Sequence, residues 1–238
     1  MIGENSVTAW PVYAVYELAH GRLYARGEIV LRYDPTEHIE LVGEFAKLHR
    51  GDEAQLVGFA RGWGSLGWAV VHPEAGGEPL PWIWNQAELI RNVLRLIHYL
   101  QTGDVEGLRI FLSAYRKEPY EIAIGDITWT FDPSAKDDPA GVAWSIIHAV
   151  VDILPLRAWP VRRFDVPVCP LAAVYWHVSR AVREGRPVVY CEECGAPFVQ
   201  TDRRQRFCPR PPRYKGKGSA CGAAHRQRRR RRRLKEGG

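Results

Sequence analysis

Val188-Val189-Tyr190-Cys191-Glu192-Glu193-Cys194-Gly195-Ala196-Pro197-Phe198 is the stretch on which the organisation of the chain turns. A short β-prone run enters a Cys-x-x-Cys-Gly turn, and an apolar residue follows four places after the second cysteine. Two thiolates separated by two residues can grip one tetrahedral ion from a tight turn, and Gly195 relieves the backbone where amides approach sulfur. Such a pair is half of a site. Cys208 and Cys221 can supply the other half, since a closed structural zinc site takes four ligands at about 2.3 Å. Thiolates favour zinc over magnesium or calcium. His225, separated from Cys221 by three residues, is an alternative fourth ligand.

Two other readings compete with a metal site. A redox dithiol of thioredoxin type belongs at the start of a helix after a strand, whereas Gly195-Ala196-Pro197 opposes a helix. The cysteines could also be plain thiols of a small core. The fifth cysteine, Cys169, stands between Val168 and Pro170, outside the cluster, and reads as a small buried residue. An all-sulfur set leaves no open position for water, so the zinc is expected to be structural and no residue is assigned a catalytic role. Glu192 and Glu193 read as solvent-facing turn residues.

Outward from this turn the charge is sharply divided. The net charge is +6, yet residues 202–238 hold fifteen Lys or Arg against Asp202 and Glu236, a net +13, while residues 1–201 hold 18 basic and 25 acidic residues, a net −7. A polyanion would therefore meet the C-terminal end. Arg203, Arg204 and Arg206 begin the basic segment, and Arg226, Arg228, Arg229, Arg230, Arg231, Arg232 and Arg233 continue it in nearly unbroken order. Guanidinium pairs bidentately with phosphate and stays charged when desolvated, so the run suits a nucleic-acid backbone. The plain alternative is a solvated charged tail in an arginine-rich chain. Charges this dense repel one another unless a counter-ion is present, which favours the polyanion. If helical, no face is spared charge, and phosphate contact without much base reading is expected.

Upstream, 46% hydrophobic residues and nine tryptophans in 238 residues suffice for a packed core. Val12 to Leu31 alternates and predicts two strands around His20-Gly21. From Thr36, a possible N-cap, Ile39, Val42, Phe45, Ala46 and His49 predict a helix ending at Gly51. Arg61 to Trp68 and Pro73 to Pro81 read as ordered loops pinned by aromatic anchors. Ile90, Val93, Leu94 and Ile97, then Leu108, Phe111, Leu112 and Tyr115, predict a helical hairpin across Thr102-Gly103 with Asp104 as cap. Tyr120–Ile124 and Ile127–Phe131 predict a β-hairpin around Gly125-Asp126. Val142 to Val150 predicts a helix ended near Leu154-Pro155, and Leu171 to Val182 one ended by Gly185 and Pro187, with Arg180, Arg183 and Glu184 on the wet side.

The fold class is accordingly α+β: a mainly helical body with small antiparallel β-hairpins over residues 1–187, a small zinc-finger-like module over 188–225 and an arginine-rich tail over 226–238. No secretory signal is expected at Met1 to Trp10. The longest apolar run, Val142 to Leu154, is interrupted by His148 and Asp152 and falls short of the roughly 18 residues of a membrane span. A soluble cytoplasmic protein without membrane association is expected, and reduced cysteines agree with that compartment.

Cys191-Glu-Glu-Cys194-Gly-x-x-Phe198, Arg206-Phe207-Cys208 and Cys221-Gly222 before a basic run resemble the bacterial CGNR-type zinc-finger proteins. The similarity spans Tyr190 to about Arg233. Ala223-Ala224 stands where the name-giving motif has Asn-Arg, and the segment between the third and fourth cysteines is longer than usual. The resemblance implies a helical N-terminal domain, a C-terminal four-cysteine finger and stress-linked transcription regulation. The leading expectation is thus a DNA-binding regulator whose body senses a signal or oligomerises, with DNA favoured over RNA as partner. RNA or ribosome association through the same tail, an enzyme with its site in the body, and an adaptor with an acidic partner are the alternatives. For the enzyme, Trp63, Trp68, Trp82, Trp84, His20, His38, His49, His98 and His148 form no recognisable catalytic spacing.

Overall fold

A computed structural model describes residues 9–68, 72, 74, 76–115, 120–124, 127–131, 138–150, 169–209 and 219–236. The first elements are strands β1 (Trp10–Ala19) and β2 (Arg22–Tyr33), paired antiparallel from Ala19↔Arg22 to Trp10↔Tyr33. His20 and Gly21 connect them with φ of 49° and 69°. Positive φ at both central residues is what a two-residue turn needs to match the strands' twist. Val12, Tyr16, Leu23 and Tyr33 enter the core, and Val15, Ile29 and Val30 stay exposed. The two-residue strand β3 (Glu78–Pro79) pairs with the start of β2. Glu78 is buried and accepts from the amides of Leu66, Gly67 and Trp68 at 2.8, 2.6 and 3.0 Å. It holds the loop after Trp63 in place.

Helices then fill most of the body. A short 3₁₀ turn over Pro35–Glu37 leads to α1 (Glu40–Ala46). The capping side chain is Asp34, which accepts from the amide and hydroxyl of Thr36 at 2.8 and 2.7 Å. Asp34 caps only the 3₁₀ turn, with Pro35 in its first position, and α1 begins after Ile39 without a side-chain cap, so Thr36 caps neither element. The helix expected to end at Gly51 stops at Ala46. Helix α2 (Glu53–Trp63) starts at Asp52, whose carboxylate accepts from Gln55 N at 2.9 Å. The start of the stretch expected as loop from Arg61 is the last turn of this helix.

Helix α3 (Leu80–Thr102) is the longest element and ends on Gly103 at φ 69°. Its beginning overlaps the expected Pro73–Pro81 loop, Pro81 serving as a first-turn residue. Asp104 caps α4 (Val105–Tyr115) through Gly107 N at 2.8 Å. Strands β4 (Tyr120–Ile124) and β5 (Ile127–Phe131) form the expected hairpin. Its Gly125-Asp126 turn lies outside the described residues, as does the predicted helix end at Leu154-Pro155. Helices α5 (Pro139–His148) and α6 (Pro170–Arg183) complete the body, the latter closed by Gly185. Trp63, Phe45, Ile83, Ile90, Leu94 and Val174 sit at the centre of one continuous core. The result is a mainly helical body with small antiparallel sheets.

The C-terminal module comprises β6 (Val188–Tyr190), β7 (Pro197–Val199) and α7 (Ala220–Glu236). It is seated on the body by specific contacts to α1 and α3. Gln101 donates to Arg186 O at 2.8 Å and accepts from Val188 N at 2.8 Å. His98 Nδ1 bonds Val188 O at 2.7 Å, and its ring meets Tyr190 edge-on at 4.6 Å. Phe198 is fully buried against Gly43 of α1, where a Cβ would come within 2.8 Å of the Phe198 Cβ.

This interface predicts two stability losses. Phe198→Ala removes a fully buried ring and should cost about 3–5 kcal/mol. Gly43→Ala should cost about 1–3 kcal/mol by overpacking the same contact. Urea unfolding midpoints of the full chain measure both, and near-wild-type midpoints would mean that the module is not seated on α1.

Candidate metal centre and basic helix

Three separate pieces of backbone bring the four cysteines together. The first is the β6–β7 connection. Cys191 N bonds Ala196 O at 3.0 Å and Gly195 N bonds Cys191 O at 2.9 Å, which folds Cys191-Glu-Glu-Cys194 into a tight turn. Gly195 sits at φ 70°, where a side chain would be strained. The second piece runs from Gln200 to Cys208. Gln205 accepts from Thr201 N at 3.0 Å, and Asp202 accepts from Arg204 N at 2.8 Å. Glu192 N bonds Arg206 O at 3.1 Å, delivering Cys208 beneath the first turn. The third piece is α7, with Cys221 in its opening turn. Ser219 accepts from Gly222 N at 3.0 Å and caps that helix.

The Cys191, Cys194, Cys208 and Cys221 sulfurs all lie within 4.8 Å of one another, and Cys194 and Cys208 are 3.5 Å apart. A tetrahedral ion with bonds of about 2.3 Å places its sulfurs about 3.8 Å from each other. The set therefore fits one ion, and the four residues lie close enough to hold it. Among the described residues this is the only group of His, Cys, Asp and Glu side chains with that property. Cys191 and Cys208 are buried, Cys221 is partly buried and Cys194 is exposed. Cys208 N donates to Cys191 Sγ at 3.5 Å.

The electrostatics follow from crowding four thiols. The Cys208 thiol shares a hydrogen bond with Cys194, which holds Cys194 well below the ordinary thiol value and Cys208 well above it. Burial, then the neighbouring thiolates, raises Cys221. Four thiolates cannot all ionise side by side without a compensating cation, and a metal dication is one that binds all four. The Lys47 ammonium at the end of α1 lowers Cys194, Cys208 and Cys221 alike. Burial opposes the Lys47 charge, but Glu44, Cys208 and Cys221 outweigh it, so its pKa is raised and the charge persists. The body thus contributes a positive charge to the site of the module.

His225 is not among the converging atoms. Its ring packs on Phe207 at 5.0 Å between centroids, and Nδ1 faces Glu193 Oε2 at 3.6 Å. Cys169 lies in the body core, against Gly67. Glu193 corrects the sequence reading. It is not a solvent-facing turn residue: its side chain is only 9% exposed and pairs with Arg228 as well as His225. The spacing Cys221, His225, Arg228 is the signal that placed these residues on one helical face. Arg206 pairs with Glu192, and Arg204 with Asp202 at 3.5 Å. Arg203, Arg226 and Arg229 to Arg233 are exposed, Arg226 and the later ones along α7. The body histidines are used structurally: buried His177 bonds Pro35 O at 3.0 Å and is held neutral by burial, with its pKa down to about 4.

Protons compete with metal for the thiolates, so affinity should rise with pH and the ion should be released on acidification. Cys191→Ser or Cys208→Ser should lose about one equivalent of bound metal per chain, as measured by elemental analysis of the reduced protein, whereas His225→Ala should retain it. Metal loss on His225→Ala with retention on Cys221→Ala would reassign the fourth ligand. No family model, curated protein or solved structure matches the chain significantly.

Proposed function

We propose that the protein binds nucleic acid, with duplex DNA as the preferred partner, through α7 rooted in a structural zinc site formed by Cys191, Cys194, Cys208 and Cys221. Zinc is favoured because four sulfurs in a closed set suit a soft ion of tetrahedral preference without an open coordination position. Residues 1–187 serve as a sensing or oligomerising body, which makes the whole a transcription regulator of the kind the cysteine pattern resembles.

The observation that carries the reading is the nature of α7. It is a 17-residue helix, about 25 Å long, whose charged residues Arg226 to Arg233 are exposed. Arg226 and Arg230, Arg228 and Arg232, and Arg229 and Arg233 face each other at i,i+4. Each such like-charge pair costs roughly 0.2–0.5 kcal/mol, so the helix is stabilised by a polyanion that supplies counter-charge. A helix of this diameter enters the major groove of B-form DNA, about 12 Å wide, whereas the deep, narrow major groove of A-form RNA excludes it.

Mobility shifts with duplex DNA, single strands and structured RNA at several salt concentrations test the proposal. Duplex DNA should bind most tightly, and deletion of residues 226–238 should weaken binding and flatten its salt dependence. Tightest binding to structured RNA would replace DNA by an RNA partner. Equal binding by the deletion would leave α7 a solvated end and favour an adaptor or enzymatic role for the body.

A further inference from the structure

Among the described residues, the side-chain contacts that fix helix α7 lie on one side of it. Cys221 joins the sulfur cluster, His225 packs on Phe207 and faces Glu193, and Arg228 pairs with Glu193. These three residues stand at i, i+4 and i+7 and therefore share one face of the helix. With the Cys221 sulfur at one end and Glu193 gripping the next two turns, the helix cannot rotate about its own axis. Glu193 lies between Cys191 and Cys194, so a single turn supplies both two metal ligands and the carboxylate that fixes the helix.

A fixed rotation decides where the remaining arginines point. Arg226, Arg229, Arg230 and Arg233 stand at i, i+3, i+4 and i+7 and together line one shallow groove. At 3.6 residues per turn this row lies about 120° around the helix from the attached face. None of the four has an acidic partner among the described residues. From Arg226 to Arg233 the row is about 10 Å long, and the phosphates of one DNA strand recur about every 3.4 Å along the axis. Because the strand also winds around that axis, neighbouring phosphates lie farther apart than this rise, and the row reaches about two to three of them.

Building on the nucleic-acid reading above, we infer that Arg226, Arg229, Arg230 and Arg233 form the phosphate-contacting edge, that they follow the backbone of one strand, and that Glu193 is the positioning residue which selects this edge by engaging Arg228. Arg228 is held out of the phosphate contact while Glu193 binds it. The arginine run is then a sided surface, not a uniform cloud of charge.

The salt dependence of binding to a short mixed-sequence duplex, read by fluorescence anisotropy on the full chain, tests this. Each lost phosphate contact should reduce the slope of log affinity against log salt by about 0.9. Arg229→Gln should reduce it by about that amount, and joint replacement of Arg226, Arg229, Arg230 and Arg233 by Gln should reduce it by about two to three. Arg228→Gln should leave the slope as in the wild type. Glu193→Gln should steepen it by about one contact, because Arg228 is released to phosphate, and adding Arg228→Gln should restore the wild-type slope. A carboxylate that served only the fold would give no such reversal. Equal flattening by Arg228→Gln and Arg229→Gln, or no change on Glu193→Gln, overturns the inference. If Arg228→Gln sheds the metal, Arg229→Gln and Glu193→Gln decide alone: slopes moving in opposite directions support the inference, and any other pattern refutes it. Failure of the wild type to bind the duplex would instead refute the functional proposal itself.

Discussion

The convergence of four sulfurs is the constraint on which the C-terminal structure depends. The module's own buried cluster is Cys191, Phe198 and Cys208, with Val189, Phe207 and Cys221 packed beside it. So little apolar surface cannot offset the conformational entropy of ordering some forty residues. Half of that cluster is cysteine. A bound ion converts those side chains from weak packing groups into ligands, and structural sites of this type supply an apparent ~10–16 kcal/mol in small finger peptides. Four such bonds would tie together a hairpin turn, a polar loop and a helix.

The second support is the body. Phe198 fills the space left by the missing side chain of Gly43, while His98 and Gln101 satisfy the backbone of β6 and the residues before it. Lys47 extends this support electrostatically, since four thiolates around a dication carry a net negative charge. The long α3 links regions far apart in sequence. It begins beside Glu78 and Trp82, which meets Trp68 at 4.9 Å, and ends where His98 and Gln101 hold the module. Rigid packing along such an element fixes the module's position relative to the body core.

How much was legible in the sequence depends on whether the cause was local. The His20-Gly21 turn, the Gly103 stop and the Cys191–Cys194 turn each rest on a residue whose conformational freedom fixes the outcome within a few positions. Helix α2 carries Leu56, Phe59, Ala60 and Trp63 at helical spacing, but Gly58, Gly62 and Gly64 obscure it. Only the last of these ends the helix, at φ 84°. Pro81 reads as a loop marker in sequence, yet proline is equally at home in a first helical turn. The seating of Phe198 on Gly43 and the pairing of Glu193 with Arg228 join residues 155 and 35 positions apart. No periodicity announces such pairs, because each depends on the completed fold.

The form of α7 follows from its charge. An ordinary helix is held by an apolar stripe, and burying such a stripe gives it both its position and its rotation. A helix carrying seven arginines between Arg226 and Arg233 has no such stripe to bury, since its late apolar residue Leu234 is 70% exposed. It can be held only at its beginning, and only by interactions that tolerate charge. A metal–thiolate bond at Cys221 would do so at the first turn, where Ser219 also satisfies an orphan amide. Glu193 does so at the second and third turns by neutralising a cation instead of excluding it. Beyond Arg228 no acidic side chain among the described residues forms an ion pair with the guanidiniums, so the charge remains available to an external anion. Holding the root by the sulfur cluster and a carboxylate is what allows the rest of the helix to stay fully basic.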